Sequence, residues 1–152
     1  MRKFACFVIL ILSSAFLAMA AEDEPGFVQL FNGKDKAGWQ HAGPGEFTVE
    51  NGELVTHGGM GMLWYEKGKF KDFVLRVDWK VSRVSDNSGI FLRIPETSDD
   101  PWFAVSHSYE IQIQDDRDPE HRTGSNYGFL ASTKLASKPP GEWNTFEINA
   151  MG

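Results

Sequence analysis

The sequence has 152 residues, a formal net charge of −6 and one cysteine, Cys6. No basic stripe occurs along the acidic chain, so the composition argues against nucleic acid and anionic membrane surfaces as partners. One cysteine cannot form an internal disulfide, so the fold must be stabilised by its hydrophobic core.

The first twenty residues have the pattern of a secretory signal peptide. Arg2 and Lys3 precede an apolar run, and the small residues Ala18 and Ala20 form a cleavage pattern before an acidic stretch. The apolar run is short for a membrane span. We therefore predict a signal peptide at residues 1–20 and one exported domain at residues 21–152. That domain would be periplasmic or extracellular, with no membrane attachment after cleavage.

Apolar residues then alternate with polar ones in several short segments, which is the period of β-strands. In chain order these segments are FTVENGELVT at 47–56, FVLRVDWKV at 73–81, GIFLRIP at 89–95, YEIQIQ at 109–114 and WNTFEINA at 143–150. Asn51-Gly52 inside the first segment predicts a two-residue hairpin turn. No amphipathic helix is expected. The pattern predicts an all-β fold of two antiparallel sheets packed face to face.

The segment SYEIQIQDD, residues 108–116, raises the question of a catalytic strand. Glu110, Gln112 and Gln114 alternate with apolar residues and therefore share one face. Glycosidases of the common type need two carboxyl groups, but two of these three side chains are amides, which cannot exchange protons near neutral pH. The strand thus offers one base, Glu110, with Gln112 as a hydrogen-bonding neighbour.

Other common chemistries lack their residue patterns. There is no G-x-S-x-G motif, and the four histidines do not stand at metal-ligand spacing. The acidic run DDRDPEH lacks the EF-hand pattern and is expected to be a solvated loop. We therefore expect no metal and no other cofactor, with a divalent cation near Glu110 or Asp115 as the alternative.

The aromatic content points to a sugar partner. Aromatic side chains make up 13% of the chain, and Trp102 and Trp143 lie beside proline or glycine turns, where rings can be exposed. Flat aromatic faces suit the apolar faces of pyranose rings, and tyrosine hydroxyls such as that of Tyr127 can bond to sugar hydroxyls. The alternative is that these rings cap the sandwich.

Several motifs in one order resemble the 3-keto-disaccharide hydrolase family. These motifs are GFVQLFNGKDKAGW, FTVENGELV, FKDFVLRVDWKV, NSGIFLRIP, YEIQIQDD and SKPPGEWNTFEI. The resemblance implies a concanavalin A-like jelly-roll sandwich and cleavage of glycosides already oxidised at C3. In that chemistry one base removes the C2 proton, the C1 substituent leaves by elimination, and water then adds.

On this resemblance we expect two catalytic residues, with Glu110 as the base and Arg93 stabilising the enolate oxygen. The expected substrate-binding residues are Gln112, Asp115, Asn87, Tyr127, Trp102 and Trp143. Two alternatives remain, a non-catalytic lectin-like carbohydrate-binding module and an inactive fragment of the enzyme.

The chain also departs from the family pattern. Gln114 stands where the family has an apolar residue, and the sequence stops at EINAMG, where family members continue with further strands. We therefore expect a domain that lacks its C-terminal strands and leaves an exposed apolar patch and an unpaired strand edge.

Overall fold

A computed structural model describes residues 25–152. The predicted signal peptide therefore lies outside the described residues. The chain divides into two compact units, Met1–Leu30 and Phe31–Gly152. In the first unit, the described residues 25–30 contain no helix or strand, and all the elements discussed below belong to the second unit.

The second unit is built almost entirely from β-strands. In chain order its elements are β1 (Trp39–Ala42), β2 (Glu46–Glu50), β3 (Glu53–His57), β4 (Met62–Tyr65), β5 (Phe73–Trp79), β6 (Ser88–Leu92), α1 (Trp102–His107), β7 (Tyr109–Ile113) and β8 (Asn144–Ala150). No helix in the described part of the chain is long and apolar enough to cross a membrane.

The strands pair in two nested sets. β1 pairs with β4 and encloses the β2–β3 hairpin, while β5 pairs with β8 and encloses β6–β7. All four pairs are antiparallel. Such nesting arises when a long hairpin folds over on itself, as in jelly-roll and Greek-key sandwiches. The predicted all-β, antiparallel sandwich is confirmed.

Local patterns predicted two of these pairings in detail. Asn51 and Gly52 adopt φ values of 52° and 86°, the positive φ values that a type I′ turn requires, and they join β2 to β3. Along β5 the side chains from Phe73 to Trp79 alternate between partly buried or buried and exposed. The same alternation runs through β8, so each of these strands turns one face toward the interior.

Sequence analysis expected no amphipathic helix, and the described part of the chain contains one short helix, α1, that the sequence pattern did not mark. The helix has six residues and follows Pro101, whose φ of −65° suits the first turn of a helix. The Trp102 N–H donates to the Asp100 carboxylate at 2.9 Å, which satisfies one free donor at this end. A helix of this length spans less than two turns, so it shows no recognisable 3.6-residue period.

The main apolar cluster connects this helix to the sheets. Ala42, Met62, Trp64 and Ala104 are buried together, and Phe91 of β6 packs against them. Phe91 therefore anchors the β6–β7 pair to the hydrophobic core. Phe91 also lies opposite Glu110 in the strand register.

One edge of β8 has no partner strand. Within residues 25–152, β8 pairs only with β5, and its C-terminal end borders a groove of about 420 Å³. Large apolar side chains are exposed in the adjoining loops, namely Phe129, Leu130, Leu135 and Met151. All four sheets of the described chain have two strands, so an open edge is not peculiar to β8, and the expectation of missing C-terminal strands stays a prediction.

Candidate functional site

Strand β7 lies between two neighbours. On one side it pairs with β6, and on the other it is bonded to the irregular segment at residues 123–127. The Gln112 N–H donates to the Ser125 carbonyl at 3.1 Å, and the Tyr127 N–H donates to the Glu110 carbonyl at 2.9 Å. Ile111 forms an isolated bridge with Asn126. The backbone of β7 is therefore fixed from both sides.

This register places a set of side chains on the same side of the sheet as Glu110. Phe91 lies opposite Glu110, and Gly89 lies opposite Gln112. Ile111 pairs with Asn126, so Ser125 lies beside Gln112 and Tyr127 lies beside Glu110. Directly paired residues share a face of the sheet. We call this surface the Glu110 face, and its members are Asn87, Gly89, Phe91, Glu110, Gln112, Ser125 and Tyr127.

Glu110 is half-buried at the centre of this face. Within residues 25–152 its carboxylate has no hydrogen-bond or ion-pair partner. Burial raises the pKa of the Glu110 carboxyl from its ordinary value of 4.5 to about 7, because desolvation disfavours the charged form. A carboxyl group with this pKa can both accept and release a proton near neutral pH.

Gln112 is a buried member of the Glu110 face rather than an exposed one. Its side chain is only 1% exposed. The Nε2 group donates to Asn87 Oδ1 at 3.2 Å, and Oε1 accepts the Ile113 N–H at 3.2 Å. Both ends of the amide are thus bonded within the protein. Gln112 is expected from the sequence to bind substrate. Its buried and fully bonded side chain is instead typical of a residue that supports the fold.

Arg93 lies away from Glu110. Its guanidinium donates to the Lys71 carbonyl and lies 3.8 Å from Asp72 Oδ1, near the start of β5. Arg93 lines the 420 Å³ groove together with Tyr109, whose side chain alternates with that of Glu110 along β7. The structure therefore does not bring the two predicted catalytic residues together.

Asp115 is engaged in holding a loop. Its Oδ1 accepts hydrogen bonds from the hydroxyls of Thr123, at 2.5 Å, and Ser137, at 2.8 Å. The Asp115 N–H also donates to the Val84 carbonyl at 3.3 Å. In the part of the chain that the structure describes, no group of three or more His, Cys, Asp or Glu side chains could hold a metal ion.

The three aromatic candidates occupy different places. Tyr127 lies on the Glu110 face, 37% exposed, with the His121 ring 4.8 Å from its own. Trp102 begins α1 and is 59% exposed, whereas Trp143 lies under the Lys80 ammonium at 4.3 Å. No hydrogen bond or ring contact among the described residues joins either tryptophan to Tyr127.

Sequence reasoning missed the contribution of Ser125 to this face, and it noted Gly89 only as part of the motif NSGIFLRIP. Ser125 is fully buried, and its hydroxyl has no hydrogen-bond partner among the described residues. The segment that carries Ser125 pairs with β7 but has no alternating pattern, so no periodic signal marks it. Gly89 gave a clearer signal, because a glycine inside a strand indicates a close approach by another group.

Comparisons with known proteins support this description of the fold. Residues 26–152 match the family described as the 3-keto-alpha-glucoside-1,2-lyase-like domain. A protein from Bacteroides thetaiotaomicron named 3-keto-disaccharide hydrolase is 30% identical over 154 residues. The match covers 83% of this chain and 53% of that protein, so the chain spans about half the length of this curated relative.

A solved structure shares the architecture. The crystal structure of a candidate glycosyl hydrolase from Parabacteroides distasonis superposes with a TM-score of 0.64 at 26% identity. The superposition covers 79% of this chain and 61% of the other. The family match extends over almost every described residue and includes all the strands of the Glu110 face. The chain therefore belongs to the family of 3-keto-alpha-glucoside-1,2-lyase-like domains.

Proposed function

We propose that this domain cleaves 3-keto-glycosides and that Glu110 is its general base. The observation that carries the proposal is the half-buried Glu110 carboxyl, whose pKa is raised to about 7 and which has no partner within residues 25–152. A base of this kind is basic enough to remove a carbon-bound proton and is not neutralised by a neighbouring cation. The name of the Bacteroides relative supports the choice of substrate class.

The reaction fits a site with a single base. A ketone at C3 acidifies the C2 proton, and the Glu110 carboxylate takes that proton while the C2–H electrons form an enolate. The enolate re-forms the ketone as the C1–O bond breaks, and protonated Glu110 returns a proton to the departing alkoxide. Water then adds across the resulting C1–C2 double bond, with OH at C1 and H at C2, giving net hydrolysis.

The electrostatic environment of Glu110 favours this elimination over the two-carboxylate mechanism. Burial is the sole cause of its raised pKa, with no contribution from a second acid. Paired catalytic carboxylates instead raise one another's pKa by charge repulsion. A single base working on an activated C–H bond needs no such partner.

The developing enolate requires a hydrogen-bond donor. The resemblance assigns this role to Arg93, but its guanidinium donates to the Lys71 carbonyl and lies beside the Asp72 carboxylate. Tyr127 shares the Glu110 face and is partly exposed, so its hydroxyl is the donor that we favour. Asn87, immediately before β6, accepts the hydrogen bond of the buried Gln112 amide on the same face.

Incubation of the purified protein with a 3-keto-glucoside and with its unoxidised parent tests the proposal. We expect loss of the keto-glycoside and exchange of its C2 proton with solvent deuterium, while the parent stays intact. Cleavage of the parent at a similar rate would contradict the elimination mechanism. Binding of the keto-glycoside without exchange or cleavage would instead favour a lectin-like module.

We also propose that the domain works outside the cytoplasm. The support is the leader pattern at residues 1–20, with small residues at Ala18 and Ala20. N-terminal sequencing of the protein recovered from expressing cells should begin at or near Ala21. A mature protein that retains Arg2 and Lys3 would contradict this location.

A further inference from the structure

We propose that Gly89 is a positioning residue for Glu110, because its missing side chain leaves the space that the Glu110 carboxylate occupies. The catalytic consequence of this inference rests on the proposed function, in which Glu110 is the general base. Its geometric part stands on the β6–β7 contact alone.

The close approach between the two residues is unusually tight. A Cβ atom added at Gly89 would lie 2.2 Å from Glu110 Oε1, 2.7 Å from its Cγ and 2.8 Å from its Cδ. All three distances are below van der Waals contact. Because Cγ is among the atoms that would clash, the whole Glu110 side chain would have to rotate. Any residue other than glycine at position 89 therefore displaces the carboxylate.

The backbone gives no other reason for a glycine here. Gly89 is absent from the positive-φ residues of the described chain, so an ordinary L-residue could adopt its conformation. It lies in the regular antiparallel register, directly opposite Gln112. Glycine inside a strand weakens that strand, since it packs no side chain. A strand glycine without a turn or bulge is best explained by the group that lies against it.

The space beside Gly89 also explains why the Glu110 side chain is partly buried. The Glu110 side chain extends over Gly89, and Phe91, its cross-strand neighbour, is packed against the main apolar cluster. The carboxylate is thus partly shielded from water beside the bare backbone of Gly89. A methyl group at position 89 would move the carboxylate toward solvent, and its pKa would then fall toward 4.5.

The test compares Gly89→Ala with Gly68→Ala in the full chain. Gly68 lies in a loop without a positive φ, and a Cβ added there meets only the end of the Phe70 ring at 3.9 Å. NMR titration of a carbon-labelled Glu110 carboxyl should show the pKa falling from about 7 toward 4.5 in Gly89→Ala. C2 proton exchange in a 3-keto-glucoside should slow at least about tenfold. Gly68→Ala should resemble the wild type in both measurements.

A double-mutant cycle keeps the inference testable if Gly89→Ala folds poorly. Glu110→Ala removes the atoms that would clash, so Gly89→Ala should destabilise the wild type more than it destabilises Glu110→Ala. Equal destabilisation in both backgrounds, or an unchanged Glu110 titration in Gly89→Ala, would overturn the inference. If Gly89→Ala lowers the Glu110 pKa but the wild type catalyses no C2 exchange in the keto-glycoside, the positioning role of Gly89 would stand. The proposed function would then be refuted.

Discussion

Gln112 and Asn87 are joined side chain to side chain across the β6–β7 pair. The Gln112 Nε2 group donates to Asn87 Oδ1 at 3.2 Å, in a position where Gln112 is only 1% exposed. A fully buried amide on β7 holds this strand in one register, since any slip would leave its polar atoms unpaired. Gln112 therefore supports the backbone from which the Glu110 side chain projects.

Truncation of this amide should destabilise the fold. Gln112→Ala removes buried volume and leaves Asn87 Oδ1 without its donor, so we expect a loss of about 2–3 kcal/mol in the free energy of unfolding. Urea denaturation measures the effect. Gln114→Ala is the control, because its amide bonds only to Asp116 in an exposed position. A loss at position 112 no larger than at position 114 would remove Gln112 from this supporting role.

Replacement of the base should separate chemistry from folding. Glu110→Gln keeps the shape of the side chain but cannot accept a proton, so we expect C2 exchange in a 3-keto-glucoside to fall at least about a hundredfold. The circular dichroism spectrum should not change. Glu96→Gln, which alters an exposed carboxylate in a loop, serves as the control. Exchange at the wild-type rate in Glu110→Gln would exclude Glu110 as the base.

The activity should depend on pH through the same carboxyl. The proposed base, Glu110, would work as its carboxylate, and burial raises the pKa of this group to about 7. We therefore expect kcat/KM to be low at pH 5 and to rise through about pH 7 to a plateau. Initial rates across buffers of constant ionic strength measure the profile. A rise centred near pH 4.5 would show that Glu110 is not desolvated in the free enzyme.

Stability should change with pH in the opposite direction. The folded pKa of Glu110 lies above its unfolded value of 4.5, so its proton favours the folded state. The stabilisation is fully present below pH 4.5 and is lost as the pH rises to about 7. Glu110→Gln removes this dependence and should make the protein more stable than the wild type above pH 7. Because the group is partly exposed, solvent screening limits the gain to about 1–2 kcal/mol.

The strands of this fold could be predicted because their signals are local. Alternation identified β5 and β8, and Asn51-Gly52 predicted the hairpin with the observed positive φ values. Burial on β7 differs from the simple pattern, since Gln112 is buried while Tyr109 is 45% exposed. Alternation gives the two faces of a strand, but tertiary packing decides which face is covered at each point.

The site could be predicted only in part, for a physical reason visible at Arg93. The period of two placed Arg93 on the same face as Phe91. β6 ends at Leu92, however, and Arg93 adopts a φ of 60°, which breaks the alternation. Its side chain consequently reaches Lys71 near the start of β5. A left-handed residue at a strand end redirects its side chain, and a non-glycine residue there carries no sequence signal.

This contact leads to a separate prediction for Arg93. Arg93→Ala removes the hydrogen bond to the Lys71 carbonyl and the ion pair with Asp72, so the free energy of unfolding should fall by about 1–2 kcal/mol. Below the melting transition, kcat should stay within about threefold of the wild type, since the guanidinium lies away from Glu110. A large loss of kcat in a stable Arg93→Ala protein would restore Arg93 to the role of enolate donor.

The apolar loop surface should make the domain self-associate. Leu130 and Phe129 are each 71% exposed, and no strand among residues 25–152 covers the second edge of β8. Exposed apolar area and an open edge both favour contact with another chain. We expect residues 21–152 to bind an apolar dye and to sediment increasingly as oligomers at higher concentration. Leu130→Ser should weaken both effects, whereas Lys134→Gln in the same loop should not. A monomer that binds no dye at any concentration would show that this surface does not drive association.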